Sequence, residues 1–179
     1  MGKGAILWFT GLSGAGKSTI GNLVYQRLIE NDVSAEVLDG DIVRTNLSKG
    51  LGFSREDRDT NIERIAFVAN LLAKHGVMVI VAAISPYRET RAKIKKLYRN
   101  HEDGSQKFWE IYCNAGISVC KERDPKGLYA RALRGEIKNF TGIDDPYEEP
   151  LTPDIILKTA DLDPEACCKQ VLLSFWNNR

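Results

Sequence analysis

The chain has 179 residues, 43% of them hydrophobic and 27% charged, with a formal net charge of +1. This is the profile of one folded domain, residues 1–179, large enough for a full core. The near-zero charge offers no global field for nucleic acid or an anionic membrane, and no apolar run approaches the ~18 residues of a membrane span.

The start, Met1-Gly2-Lys3-Gly4, runs directly into a first strand and leaves no room for a signal peptide. A myristoylation signal needs Ser or Thr where Ile6 stands. Ala5 to Phe9 is an apolar run of buried-strand type, and Ser18 to Glu30 has helical periodicity. Between them lies Gly11-Leu12-Ser13-Gly14-Ala15-Gly16-Lys17-Ser18, which fits G-x-x-x-x-G-K-[ST]. In that loop the glycines let backbone N–H groups converge on phosphate oxygens. Lys17 can reach the β- and γ-phosphates, and the Ser18 hydroxyl can ligate Mg²⁺. A helix N-terminus directly behind the loop adds its dipole to the anion site.

Ala35 to Leu38 forms a short strand ending at Asp39-Gly40-Asp41. A helix from about Glu56 to His75 gathers Ile62, Ile65, Ala66, Ala69 and Leu72 on one face. Val77 to Ala83 is apolar on both faces, as a central parallel strand requires. Ser85-Pro86 supplies an N-cap and a first-position proline for a helix reaching about Tyr98. Phe108 to Cys113 is a strand and Ile117 to Arg123 a helix. Asp124 to Pro153 loses periodicity and fills with glycine, proline and charge, and a stretch this long is more often functional than idle. Ile155 to Leu157 and Pro164 to Trp176 close the chain as strand and helix. Alternating strands and helices imply an α/β fold, a parallel sheet with helices on both faces in three layers. The phosphate site then lies at the carboxyl ends of the strands.

Four cysteines, Cys113, Cys120, Cys167 and Cys168, form no CxxC pair and lie far from both histidines, so they mark no zinc site. Cys113 and Cys120 are expected to be small buried groups, Cys167 and Cys168 are adjacent on a helix in a poor geometry for a mutual bridge, and all four are expected to be reduced as in a cytoplasmic protein.

Three further segments follow strand ends and should meet the bound phosphates. In Asp39-Gly40-Asp41-Ile42-Val43-Arg44, the carboxylates can hold Mg²⁺ or accept a hydroxyl proton, and Arg44 can grip an anion by two prongs; a capping Asp with a solvated neighbour is the plainer alternative. In Gly50 to Asn61, Arg58 and Asn61 share a helical face and Phe53 can stack on a base; an ordinary charged helix start is the alternative. In Ile84 to Arg88, Ser85 is either a helix cap or a substrate contact. Arg123, Lys126, Arg131 and Lys138 ring the glycine-rich stretch, which is either a solvated loop or, given Gly127, Gly135 and Gly142, a mobile lid over about 124–150. There is no Asn-Lys-x-Asp run for guanine, and no Asp directly after Val77–Ala83. Asp39 or Asp41 is the natural substitute, an arrangement suited to a small-molecule kinase.

Together these segments resemble the adenylylsulfate (APS) kinases, a family of P-loop kinases. GLSGAGKST (Gly11–Thr19), LDGDIVR (Leu38–Arg44), GLGFSREDRDTN (Gly50–Asn61), ISPYR (Ile84–Arg88), RDPKGLY (Arg123–Tyr129) and FTGIDDPYEEP (Phe140–Pro150) occur in the family's order. The phosphate loop alone names only a superfamily; the later motifs are far more specific. The resemblance implies that ATP phosphorylates the 3′-hydroxyl of adenosine 5′-phosphosulfate (APS), with Mg²⁺ as cofactor. It places Gly11, Ser13, Gly14, Ala15, Gly16, Lys17, Ser18 and Thr19 on the ATP phosphates and Arg123 near the ATP adenine. It places Asp41, Arg44, Phe53, Arg58, Asn61, Ile84, Ser85, Lys126, Asn139 and Phe140 around APS, with Phe53 and Phe140 sandwiching its adenine. Arg44, Arg58 and Asn61 would hold the phosphosulfate. Lys17, Asp39, Ser85 and Lys126 would be catalytic, and Ser18 with Asp39 would hold the metal. Some members carry a phosphoserine at the Ser85 position, although direct in-line transfer accounts for the same residues.

A homodimer and an ATP sulfurylase as functional partner are further expectations of the resemblance. Asn139 departs from the glycine of many relatives, and Cys113 and Cys120 replace aliphatic residues. The extension that carries a regulatory cysteine in plant relatives is not seen, and neither is a sulfurylase domain. Two other functions remain open: a kinase of another hydroxylated acceptor such as a nucleoside, and a non-catalytic nucleotide-binding module that regulates a sulfurylase.

Overall fold

The computed structural model describes residues 3–177. Met1 and Gly2, which bear on the signal-peptide and myristoylation expectations, lie outside the described residues. The elements in chain order are β1 Ala5–Thr10, α1 Lys17–Glu30, β2 Ala35–Asp39, α2 Gly40–Asn46, α3 Arg55–Lys74, β3 Met78–Ala82, α4 Arg88–Tyr98, β4 Phe108–Asn114, α5 Ile117–Arg123, α6 Leu128–Leu133, β5 Ile155–Lys158 and α7 Pro164–Asn177.

The strands form one parallel sheet in the order β2-β3-β1-β4-β5. β1 is central, with Leu7 level with Ile80 on one side and Trp109 on the other. The alternation of a strand sends its residues to two separate cores. Ala5, Leu7 and Phe9 pack with Ile20, Val24 and Leu28 of α1 and with Cys167, Val171 and Phe175 of α7. Ile6 and Trp8 pack with Ile62, Ile65 and Ala69 of α3 and with Ile94 of α4. The expected α/β architecture of three layers is therefore present. The connections leaving β1 and β3 depart to opposite faces, and the crevice between them opens at the carboxyl ends of the strands, as a ligand site in such sheets requires.

Burial of both faces is why β3 and all of β1 before Thr10 are apolar, whereas β2 at the edge is only half-buried. All four cysteines are free, and Cys167 and Cys168 are buried as well as Cys113 and Cys120. Burial pushes the Cys113 thiol up to about 12, which makes it a packing group and not a nucleophile.

Two local expectations are corrected. Ser85 does not cap α4, and Pro86 is not its first residue. The N-cap is Tyr87, and the free N–H of Arg88 is capped from a distance by Glu148 Oε2 at 2.7 Å. Ser85 is instead held in the left-handed region at φ 48°, a conformation that needs outside support in a non-glycine residue. Further, the stretch after Asp124 is not wholly irregular. It contains α6, started by Gly127 at φ 63° and capped by the Asp124 carboxylate, which accepts from the N–H groups of Tyr129 and Ala130.

Candidate active site

The phosphate loop joins β1 to α1. Gly11, Gly14 and Gly16 all have positive φ (146°, 75° and 95°), which explains the glycines at these positions. Lys17 is buried, and its Nζ donates to the carbonyl of Leu12 at 2.7 Å. Burial pulls its pKa below the ordinary lysine value, so the charged form is disfavoured here and an incoming anion would stabilise it. Ser13 and Gly14 are braced from the far side, by the Tyr129 hydroxyl at 3.0 Å and by Arg123 Nη1 at 3.4 Å. Arg123 also donates to the carbonyl of Thr159 at 2.6 Å, next to a buried Thr159 hydroxyl with no partner. Ala15 is buried behind the loop, and Thr19 faces solvent.

The end of β2 meets this loop. Ser18 Oγ donates to Asp39 Oδ2 at 2.6 Å, while Asp39 Oδ1 accepts from the N–H of Asp41 at 2.9 Å and caps α2. The capping alternative for Asp39 is realised, and the cap fixes the carboxylate with its other oxygen directed at the phosphate loop. Asp41 stands on the exposed side of α2 and is ion-paired with Lys126.

Around the start of α3 the cations are tied to backbone and ring. Arg44 Nη2 donates to the carbonyl of Gly52 at 2.7 Å, its guanidinium lies 4.3 Å from the Phe53 ring centre, and its buried Nε has no partner. Arg58 Nε donates to the carbonyl of Phe53 at 2.9 Å. Its outer nitrogens reach the segment after α6, meeting the Thr141 hydroxyl at 2.6 Å and the carbonyl of Asn139. Asn61, one helical turn on, is buried with its Oδ1 unpartnered. Such an orphaned acceptor is what a hydrogen-bond donor on a ligand or a water would satisfy. Phe53 is 61% exposed, a large apolar ring left open at the mouth of the crevice.

Asn139 has φ 55°. The left-handed region accepts Asn next after glycine, so Asn139 takes a backbone conformation that glycine would also adopt. Phe140 packs edge-on against Tyr129 at 5.1 Å between ring centres. Ile84 is held through its carbonyl, which accepts from the Thr10 hydroxyl at 2.7 Å. Ser85 Oγ accepts from Trp8 Nε1 at 3.0 Å and is buried, so its hydroxyl faces the core-side indole.

Several residues here were not singled out from the sequence. Tyr87 donates to Asp145, Tyr147 meets Thr10 at 2.9 Å, and Arg91 contacts Ser85, Glu110 and Glu148. Asp145, Tyr147 and Glu148 lay inside a quoted motif without a role. The available signal for Arg91 was its position on the buried face of α4, with Thr90 and Ile94.

The Ser18–Asp39 hydrogen bond thus joins the phosphate loop to the end of β2, and Arg44, Arg58 and the exposed Phe53 ring gather at the start of α3. The family model for adenylylsulphate kinase matches residues 3–158. An adenylyl-sulfate kinase of Microcystis aeruginosa is 55% identical over 175 residues, 98% of this chain and 91% of its own length. One of Rippkaea orientalis is 59% identical over 157 residues, 88% of this chain and 83% of its own. The APS kinase of Mycobacterium tuberculosis, solved in complex with AMPPNP and APS, is 45% identical and superposes with a TM-score of 0.91, covering 98% of this chain and 99% of that one. Family model, relatives and superposed fold agree with one another, and the chain belongs to the adenylylsulphate kinase family.

Proposed function

We propose that this protein transfers the γ-phosphoryl group of ATP to the 3′-hydroxyl of APS, giving ADP and 3′-phosphoadenosine 5′-phosphosulfate. The observation that carries this is the Ser18–Asp39 hydrogen bond, which joins the phosphate-loop half of the site to the acceptor half. The solved complex of the M. tuberculosis relative with AMPPNP and APS supports the same pair of ligands.

ATP phosphates occupy the loop from Gly11 to Thr19, where Lys17 exchanges the Leu12 carbonyl for β- and γ-oxygens. Arg123 borders the base. APS lies against Phe53 and Phe140, with Arg44, Arg58 and Asn61 on its phosphosulfate and with Asp41, Ile84, Ser85, Lys126 and Asn139 around the rest. The 3′-oxygen attacks the γ-phosphorus, and the bond to the β–γ bridging oxygen breaks, leaving its electron pair on ADP. Asp39 receives the hydroxyl proton, late in a loose transition state that needs little base assistance. Holding two nucleotides in line accounts for most of the rate. Ser18 and Asp39 offer a hydroxyl and a carboxylate oxygen side by side, a donor set that fits Mg²⁺. Bound there, Mg²⁺ would neutralise charge on the β- and γ-phosphates. The segment over about 124–150 is the lid of residues 1–179, and Lys126 and Phe140 are brought onto APS by its closure. We further infer a cytoplasmic homodimer, supplied with APS by an ATP sulfurylase.

A coupled assay of ADP release, run with and without APS, tests the assignment. ADP formation that depends on APS is expected, with a 3′-phosphorylated product. Phosphorylation of a nucleoside in place of APS, or nucleotide binding without turnover, would overturn it. Light scattering at assay concentrations tests the dimer.

A further inference from the structure

Arg91 is nearly fully buried in α4 and is not among the residues assigned above to either nucleotide. Its three nitrogen positions point in three directions. Nε donates to Glu110 Oε1 on β4 at 3.1 Å, Nη1 donates to the carbonyl of Ser85 at 2.5 Å, and Nη2 donates to the carbonyl of Glu148. The guanidinium also lies 5.5 Å from the ring centre of Tyr147.

The two carbonyls belong to two segments far apart in the chain. Ser85 sits in the turn after β3, at a strained φ of 48°. Glu148 sits at the root of the segment that returns from the lid. Around Arg91 the same two segments are stitched together again. Glu148 N–H donates to the carbonyl of Pro86 at 2.9 Å, Glu148 Oε2 caps the Arg88 N–H, and Arg88 Nε donates to the carbonyl of Glu149 at 3.1 Å. Tyr147 carries the link to the Thr10 hydroxyl, and Thr10 in turn donates to the carbonyl of Ile84. Glu110 does not depend on Arg91 alone, since Lys95 Nζ lies 3.2 Å from its other oxygen.

We propose that Arg91 is a positioning residue, whose three-way contact makes the Ser85 turn and the root of the lid one mechanical unit anchored on β4. The proposal rests on the APS-kinase assignment for its kinetic consequence, but not for its structural one. A planar guanidinium can serve three acceptors at fixed angles; a lysine ammonium on a flexible stem keeps the charge but cannot hold all three. Release of the unit leaves the phosphate loop intact and misplaces the acceptor side, where an error of ~1 Å can cost as much as 100-fold in rate.

The test is Arg91→Lys in the full-length chain, read by amide hydrogen exchange without ligands and by initial rates. Exchange is expected to accelerate together in residues 83–88 and 141–150 while β1 and α1 keep their protection. The KM for APS is expected to rise about tenfold with the KM for ATP nearly unchanged. Glu148→Ala is the second variant. It leaves the Arg91–Glu110 pair in place, removes only the cap on Arg88, and is expected to loosen both segments together, though less. Unchanged exchange in the two segments would overturn the proposal. So would loosening of one without the other, or an even loss of protection across the sheet, the mark of a purely structural role. Wild-type protein without APS-dependent turnover would count against the assigned function only, since the exchange result stands by itself.

Discussion

Lys126 and Asp41, 85 positions apart in the chain, are ion-paired across the mouth of the crevice between α2 and the segment leading into α6. Both side chains are more than half exposed, so the pair contributes little to stability. It keeps two groups assigned to APS close to their working places. Lys126→Ala should leave the melting temperature unchanged and raise the KM for APS, with the KM for ATP nearly constant. A melting shift without a kinetic effect would make the pair structural.

Asp39 combines a cap with a site-facing oxygen, and Asp39→Asn separates the two roles. Asn still accepts from the Asp41 N–H, whereas Asp39→Ala loses the cap and about 1 kcal/mol of stability. The expected result for Asp39→Asn is a folded protein whose kcat falls by about 100-fold or more and which needs more Mg²⁺ for half-maximal rate. A magnesium titration of initial rates checks this, and near-normal turnover would remove Asp39 from the mechanism.

Burial holds the Lys17 pKa below its ordinary value of 10.5. Between that lowered value and 10.5 the unfolded chain holds the extra proton, so the contribution of this group to stability rises with pH across that window. Phosphate oxygens favour the charged form, so ATP binding should take up a proton as pH approaches 10.5 from below. Calorimetry in buffers of different ionisation enthalpy would measure the uptake. Lys17→Ala should show none and should lose ADP formation; equal uptake in both proteins would assign the proton to another group.

Gly11 and Gly50 both have positive φ, at 146° and 94°, but different surroundings. A Cβ on Gly11 would lie 2.6 Å from the carbonyl oxygen of Cys113, whereas one on Gly50 would meet nothing within 4 Å. Gly11→Ala should cost about 3 kcal/mol or more and weaken ATP binding. Gly50→Ala should cost only the left-handed penalty, about 1 kcal/mol. Urea unfolding of the two variants compares them directly.

The sequence by itself determined what depends on short range. Apolar runs set β1, β3 and β4 because both faces of a central strand are covered, and the helical spacing of Ile62, Ile65 and Ala69 set the buried face of α3. The spacing of Gly11, Gly14 and Gly16 before Lys17 set the phosphate loop, because backbone amides can converge only where φ is free to turn positive. What the tertiary structure decided was every partner supplied from far along the chain. Ser85-Pro86 has the local pattern of a helix start, yet the cap on Arg88 comes from Glu148, and the Ser85 hydroxyl turns to Trp8. Short α6 lacked a legible apolar period because its six residues, Leu128–Leu133, bury little more than Tyr129 and Ala132. Arg91 is one of several cations on α4, and its contacts arise only where Ser85, Glu110 and Glu148 converge on it. Local propensity acts over a few residues, whereas the satisfaction of a buried guanidinium or a strained turn depends on groups that only the folded sheet brings together.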